Sequence, residues 1–247
     1  MLNKGMKKIA LTVLTFCMLC SLFQQMPLYV KAGSVSYAPY NGVDFYNAGL
    51  SPQRVAALDK AKKMVCIKWT AIENFPTWKS SSGAYNYAVA SDGTSSNSFV
   101  KGKTYTGIPY SKTDHTFDDN KWKNYVENNS ITASNMTGSY YSDAKDTTKH
   151  GVDCSYFVYS AIGSAVGFQG FNYQATADML NSSYYTKLKY KEEMLPGDLF
   201  LKNGHVMMFV GKSGSSYAVF EADANDSKCS YNVYSRISIF KTRTHFS

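Results

Sequence analysis

The chain has 247 residues, 44% of them hydrophobic and 15% aromatic, with 26 Lys and Arg against 18 Asp and Glu for a formal charge of +8. That composition fits a globular protein with a full core and excludes a disordered or low-complexity chain. The basic residues are scattered, without a stripe or a zinc-spaced motif, which argues against nucleic acid as a partner.

Lys4, Lys7 and Lys8 precede an uncharged apolar run from Ile9 to Phe23, and Val30-Lys31-Ala32 ends in a small residue. This is the pattern of a secretory signal peptide spanning residues 1–32, and the run is too short for a membrane span of ~20 residues. Phe16 and Leu19 stand where a lipoprotein signal would need a small residue, so no membrane anchor is expected after cleavage. Removal of residues 1–32 leaves 215 residues and takes away four lysines and no acid, which lowers the charge from +8 to +4. Cys66, Cys154 and Cys229 remain. An odd count in an exported chain points to a free, reactive thiol. Cys66 and Cys229 are either small core residues or partners in a disulfide.

Gly33 to Leu50, rich in Tyr, Asn and Gly, has no helical or strand period and is expected to be a loosely ordered lead-in. Ser51 as N-cap and Pro52 at the first helical position then start a helix whose apolar stripe is Val55, Ala56, Leu58, Ala61 and Met64. Ser80 to Ser98 is a surface loop by composition, and Thr113 to Thr148 is a polar insertion expected beside the site. The organisation expected is an N-terminal elaboration over 33–100, with one helix and a polar loop, followed by a catalytic domain over 101–247.

From Cys154 the apolar residues Phe157, Val158, Ala161, Ile162, Ala165 and Val166 recur with a helical period, and Gly167 is placed to end the helix. Thr176 to Leu180 forms another short helix. Leu195-Pro196-Gly197-Asp198 turns the chain into a hairpin: Leu199 to Lys202, Asn203-Gly204, then His205 to Val210. Lys212 to Ser216 turns it again, and Tyr217 to Asp223 and Asn232 to Phe240 supply further strands. Helices first and an antiparallel meander second make an α+β domain.

Cys154 at a helix N-terminus, with a histidine on a strand 51 residues downstream, is the pairing that nucleophilic thiol chemistry requires, because the thiol needs a base to become a thiolate. If the loop around Ser213 has an odd number of residues, His205 lies opposite or diagonal to Glu221 on one face, and a base adjoins its orienting acid. Of the other histidines, His115, His150 and His245, only His150 is near enough in sequence to Cys154 to rival His205 as base. Asp223, two positions on, is the rival orienter. No histidine and cysteine set has zinc spacing, so no metal or other cofactor is expected. Asp153 is at the least an N-cap for the helix. The many aromatic residues suit either strand core or a sugar-binding surface.

Asp153-Cys154-Ser155 with its following helix, Pro196-Gly197-Asp198-Leu199, Gly204-His205-Val206, the strand Ala218-Val219-Phe220-Glu221-Ala222, and upstream Gly107-Ile108-Pro109-Tyr110 occur here in one order. In that set the chain resembles the NlpC/P60 family of papain-like cysteine peptidases over about Lys101 to Phe240. The resemblance implies a papain-like α+β fold, with the nucleophile at the N-terminus of a buried helix packed on an antiparallel sheet. It implies Cys154 as nucleophile, His205 as base and Glu221 as the third member, and Tyr110, Asp153 and Ser155 as substrate-binding residues. It also implies a secreted or wall-associated thiol peptidase whose partner is peptidoglycan or a peptide fragment of it, cut next to γ-D-glutamate. Two features differ from the family: Tyr156 stands where Gly usually follows Asp-Cys-Ser, and the insertion before Asp153 is long. An amidase or acyltransferase using the same triad, or a non-catalytic wall-binding protein on a peptidase scaffold, are the alternatives. The sequence leaves the oligomeric state open.

Overall fold

In a computed structural model the described residues are 33–77, 86–96, 98–111, 118–128, 150–166 and 172–244. Residues 1–32, expected as a signal peptide, together with His115, His245, Gly167 and the whole of 129–149, lie outside them. Residues 33–247 form one compact unit.

The strands, in chain order, are β1 (Val35–Tyr37), β2 (Ile67–Thr70), β3 (Phe75–Pro76), β4 (Ala88–Val89), β5 (Ser95–Ser96), β6 (Ser98–Phe99), β7 (Thr104–Thr106), β8 (Tyr185–Lys187), β9 (Leu199–Lys202), β10 (His205–Ser213), β11 (Ser216–Asp223), β12 (Lys228–Tyr234) and β13 (Phe240–Thr244). The helices are α1 (Pro52–Cys66), α2 (Asp119–Glu127), α3 (Cys154–Val166) and α4 (Thr176–Met179). A six-stranded sheet in the order β12-β11-β10-β9-β13-β8 is antiparallel throughout, and β1-β2-β7 make a second, three-stranded antiparallel sheet. The fold is therefore α+β with antiparallel sheets.

One face of the large sheet buries Val206, Met208, Val210, Phe220 and Ala222 with Leu58 and Ala61 of α1 and Phe157, Ala161 and Ile162 of α3. The other face carries a smaller cluster of Leu188, Met194, Phe200, Met207, Phe209, Val219 and Ile237. Strand alternation sends successive residues of β10 to the two sides in turn.

Helix α1 begins as its caps predict, with Ser51 accepting from the Arg54 N–H at 3.3 Å and Pro52 in the first turn. Its buried face is rotated from the expected stripe. Val55 and Ala56 are only half-buried, while Ala57 and the charged Arg54 are buried. Arg54 can be buried because its Nη1 donates to Asp198 Oδ1 at 2.8 Å and to the Pro196 carbonyl at 3.0 Å. Asp198, fully buried, also accepts from the Leu195 N–H at 2.9 Å. The Pro196-Gly197-Asp198 turn is thus tied to α1 by a satisfied buried ion pair.

Several expectations are corrected. The lead-in is not loose: β1 pairs with β2, Phe45 is fully buried, and Tyr40 packs 5.5 Å from the Phe220 ring. The sheet β1-β2-β7 spans the 100/101 boundary, and α1 packs in the same core as α3. The described part of the polar insertion, 118–128, holds the helix α2 and its two caps. Asp118 caps α2 through the Lys121 N–H, Lys60 bridges Asp118 and Asp119 at 2.7 and 2.6 Å, and Trp122 is buried 4.9 Å from the Trp69 ring. The expected strand 232–240 is two elements, the end of β12 and the start of β13. Cys66, Cys154 and Cys229 are all free thiols.

Candidate active site

Cys154 is the first residue of α3, and Asp153 caps the helix: its Oδ1 accepts from the Tyr156 N–H at 2.9 Å and from Ser155 Oγ at 2.8 Å. A carboxylate there satisfies the first-turn donors and complements the helix dipole. The bland role of Asp153 is therefore real, and all three residues of the Asp-Cys-Ser triplet are buried.

The segment Gly107 to Ser111 positions Tyr110 beside that triplet. Its backbone is pinned on one side to β12, with Cys229 N–H donating to Ile108 O at 2.7 Å and Tyr110 N–H to Ser227 O at 2.8 Å. On the other side Val152 N–H donates to Pro109 O at 3.0 Å, so Tyr110 runs parallel to the residue two before the nucleophile. Gly107 makes this approach possible, since at φ +91° it adopts a glycine-favoured conformation and a Cβ would run into the Cys229 carbonyl oxygen.

The hairpin β9–β10 turns through Asn203-Gly204 as expected, with His205 paired to Lys202. The next turn differs from the expected odd loop: Ser213 pairs with Ser216, which leaves the two residues Gly214 and Ser215. That even loop alone would put His205 and Glu221 on opposite faces. A bulge restores the parity. Gly211 pairs with Ala218 but Phe209 with Val219, so Val210 is an extra residue on β10, and below it the register reads Met208 to Phe220. Continuing that register sets Met207 opposite Glu221 and His205 one diagonal away, all on one face.

His205 Nε2 is 2.7 Å from Glu221 Oε2. The other ring nitrogen, Nδ1, is not taken by Glu221, and Cys154 is near enough to the imidazole to help raise its pKa. Burial pushes the His205 pKa down, but hydrogen bonds to Cys154 and Glu221 and their charges outweigh it and raise the value to about 10. Glu221 is fully buried and Oε1 accepts from Tyr234 Oη at 2.7 Å and Asn232 Nδ2 at 3.0 Å. A buried carboxylate with three donors is held in place, which is what an orienting acid needs. Asp223, the rival orienter, instead accepts from the Asn225 N–H at 2.9 Å, and burial holds its carboxyl above the usual range. His150, the rival base, is buried with its ring 4.0 Å from that of Tyr125, and His205 is the histidine that meets the buried Glu221 carboxylate.

Three residues that the motifs do not mark join the site. Asn232 and Tyr234 alternate on β12 on the face that carries Glu221. Tyr173, between α3 and α4, lies 3.1 Å from Ser155 Oγ and stacks on Tyr156 at 3.8 Å. Burial, with the nearby Asp153 and Cys154, pushes the Tyr173 hydroxyl up to about 12. Tyr156, in the position where a Gly was expected, is thus buried under Tyr173. A cleft of about 520 Å³ is lined by Tyr110, His205, Glu221, Asp223, Tyr234 and Arg236 among others. Cys154 is 5% exposed and does not line it.

The arrangement is a thiol, a base and a buried acid in series, able to carry an acyl group on sulfur. No protein-family model matches the chain, and neither a curated protein nor a solved structure matches it.

Proposed function

We propose that this protein is an exported cysteine hydrolase of the NlpC/P60 type, papain-like in fold, that cleaves an amide bond in peptidoglycan stem peptides next to γ-D-glutamate. The observation that carries the reading is the base held by its acid, His205 Nε2 at 2.7 Å from Glu221 Oε2, with Cys154 at the start of α3 near enough to help raise the His205 pKa. Asp153, Ser155 and Tyr110 at the nucleophile, and the leader-like residues 1–32, add to it.

In the first half-reaction His205 takes the thiol proton and the Cys154 thiolate adds to the substrate carbonyl carbon. The positive end of α3 favours the developing oxyanion. Collapse breaks the carbon–nitrogen bond, His205 gives its proton to the leaving amine, and a thioester remains on Cys154. In the second half-reaction His205 takes a proton from water, the hydroxide oxygen adds to the thioester, and collapse releases the acid and the thiol. Glu221 holds Nε2–H and stabilises the imidazolium in both halves.

The test is digestion of purified peptidoglycan by the wild type and by Cys154→Ala, read by mass spectrometry. Fragments ending in γ-D-glutamate, produced by the wild type alone, are expected. No release, or equal release by the variant, contradicts the proposal.

A further inference from the structure

The face of the large sheet that carries His205 and Glu221 is graded in charge from strand to strand. Glu221 and Asp223 are on β11, His205 is on β10, and Lys202, paired with His205, is on β9. Lys241 on β13 pairs with Phe200, a residue of the same-face cluster, so it belongs to this face too. Beyond the catalytic cleft lies a second hollow of about 700 Å³, lined by Lys187, Lys189, Lys191, Lys202 and Lys241. The two hollows adjoin, with Lys202, Ile237 and Ile239 in the walls of both.

Five lysines in one hollow repel each other unless anions are present. Lys191 Nζ donates to the Ile237 carbonyl at 2.5 Å and Lys241 Nζ to the Lys189 carbonyl at 3.2 Å. These bonds fix two of the ammonium groups without neutralising them. Lys189 and Lys202 are exposed and make no ion pair among the described residues, and Glu192 and Glu193, close by in sequence, do not line the hollow. Ion pairs among the described residues form around Lys60, Lys62, Lys103, Lys123 and Asp198 and between His205 and Glu221.

We infer that this lysine hollow is a second subsite, which holds a carboxylate-bearing part of the same substrate whose amide bond is cut at Cys154. The inference rests on the hydrolase reading for the bond cut, but the anion binding it assigns is separate from catalysis. A substrate lying across the strands finds acid at the β11 end and ammonium groups from β9 outward. The subsite therefore selects for negative charge and orients the chain across the cleft.

Two arms test it on the full mature chain. In the binding arm, the Cys154→Ala protein is titrated with fluorescein-labelled tri-glutamate and with its amidated counterpart, tri-glutamine, at low and high salt. The tri-glutamate is expected to bind more tightly, with an advantage that shrinks in salt, and Lys189→Ser/Lys202→Ser is expected to weaken it by about threefold to thirtyfold. In the kinetic arm, stem peptides with free and with amidated side-chain carboxylates are compared, and the wild type is expected to prefer the free acid while the double variant loses that preference. Circular dichroism checks that the double variant is folded. Hydrolysis with no charge preference, together with equal binding of the two probes, overturns the subsite and leaves the hydrolase reading standing. Lysine-dependent binding of tri-glutamate without any hydrolysis supports the subsite while the hydrolase reading fails. Equal binding without hydrolysis overturns both.

Discussion

His205 and Glu221 meet at 2.7 Å because β10 holds one residue more than its partner. The two-residue turn Gly214-Ser215 would send them to opposite faces, and the extra residue Val210 turns β10 by one step before His205 is reached. The bulge, not the turn, sets the base against its acid.

The bulge is followed by Gly211 at φ +156°, where an added Cβ would lie 2.7 Å from Val43 Cγ1. Gly211→Ala is expected to destabilise the protein by about 1–3 kcal/mol, seen as a lower Tm. Adding Val43→Ala removes the clash but not the backbone cost, so it should restore part of the loss. Full stability in the single variant would show that the bulge does not depend on this glycine.

Glu221→Gln keeps the acceptor for Asn232 and Tyr234 but turns an amide N–H toward His205 Nε2. That favours the tautomer with the proton on Nδ1, which cannot accept from the thiol. Activity is expected to fall by ~10-fold to 1,000-fold. Loss of the carboxylate also lowers the His205 pKa from about 10, so the basic limb of the kcat/KM profile moves to lower pH. The stability linkage has the same sign. A histidine raised from 6.5 to about 10 contributes stability that is complete below 6.5 and is lost as pH rises through 10. The variant should therefore lose less stability than the wild type between pH 7 and pH 10. A pH–rate profile and pH-dependent melting check both points, and an unmoved basic limb transfers the orienting role away from Glu221.

Alkylation separates the three thiols. Burial raises the pKa of Cys66 and lifts that of the fully buried Cys229 further, whereas Cys154 is proposed to give its proton to His205. Iodoacetamide at about pH 6 is expected to label Cys154 first, and His205→Ala to slow that labelling. Peptide mapping reads the order directly. Labelling of Cys66 or Cys229 ahead of Cys154 in the folded protein runs against the assignment.

The capping and substrate-binding roles of Asp153 can be told apart. Asp153→Asn keeps an acceptor for the Tyr156 N–H, so its Tm should stay close to the wild type, while Asp153→Ala loses about 1 kcal/mol of cap. If the carboxylate also holds a substrate ammonium, Asp153→Asn lowers kcat/KM for a free-amine peptide and spares the N-acetylated one. Equal effects on the two peptides leave Asp153 as a cap alone.

Residues whose chemistry is local were legible in the sequence. Asp153 before a helical stripe, Ser51-Pro52, and Asn203-Gly204 between alternating strands each announce their conformation through their own side chains. Glu221 was reached by a parity argument whose premise, an odd loop, does not hold: Val210 looks like any strand residue, and only Gly211 next to it hints at an irregularity. Asn232 and Tyr234 could have been found, because Ser230, Asn232 and Tyr234 alternate on a strand and therefore share a face. Tyr173 carries no such signal. It lies in an aperiodic stretch and reaches Ser155 only through the packing of α3, as Phe45 reaches the core only through the tertiary contacts of the lead-in.

The measurement that goes straight to the central claim is mass analysis of the protein during turnover of a stem peptide, stopped by acid and mapped by peptide. A covalent adduct with the mass of the acyl fragment on the peptide containing Cys154, absent from Cys154→Ala and formed more slowly in His205→Ala, is the predicted result. Turnover that proceeds with no adduct on Cys154 and at the same rate in Cys154→Ala would contradict the account.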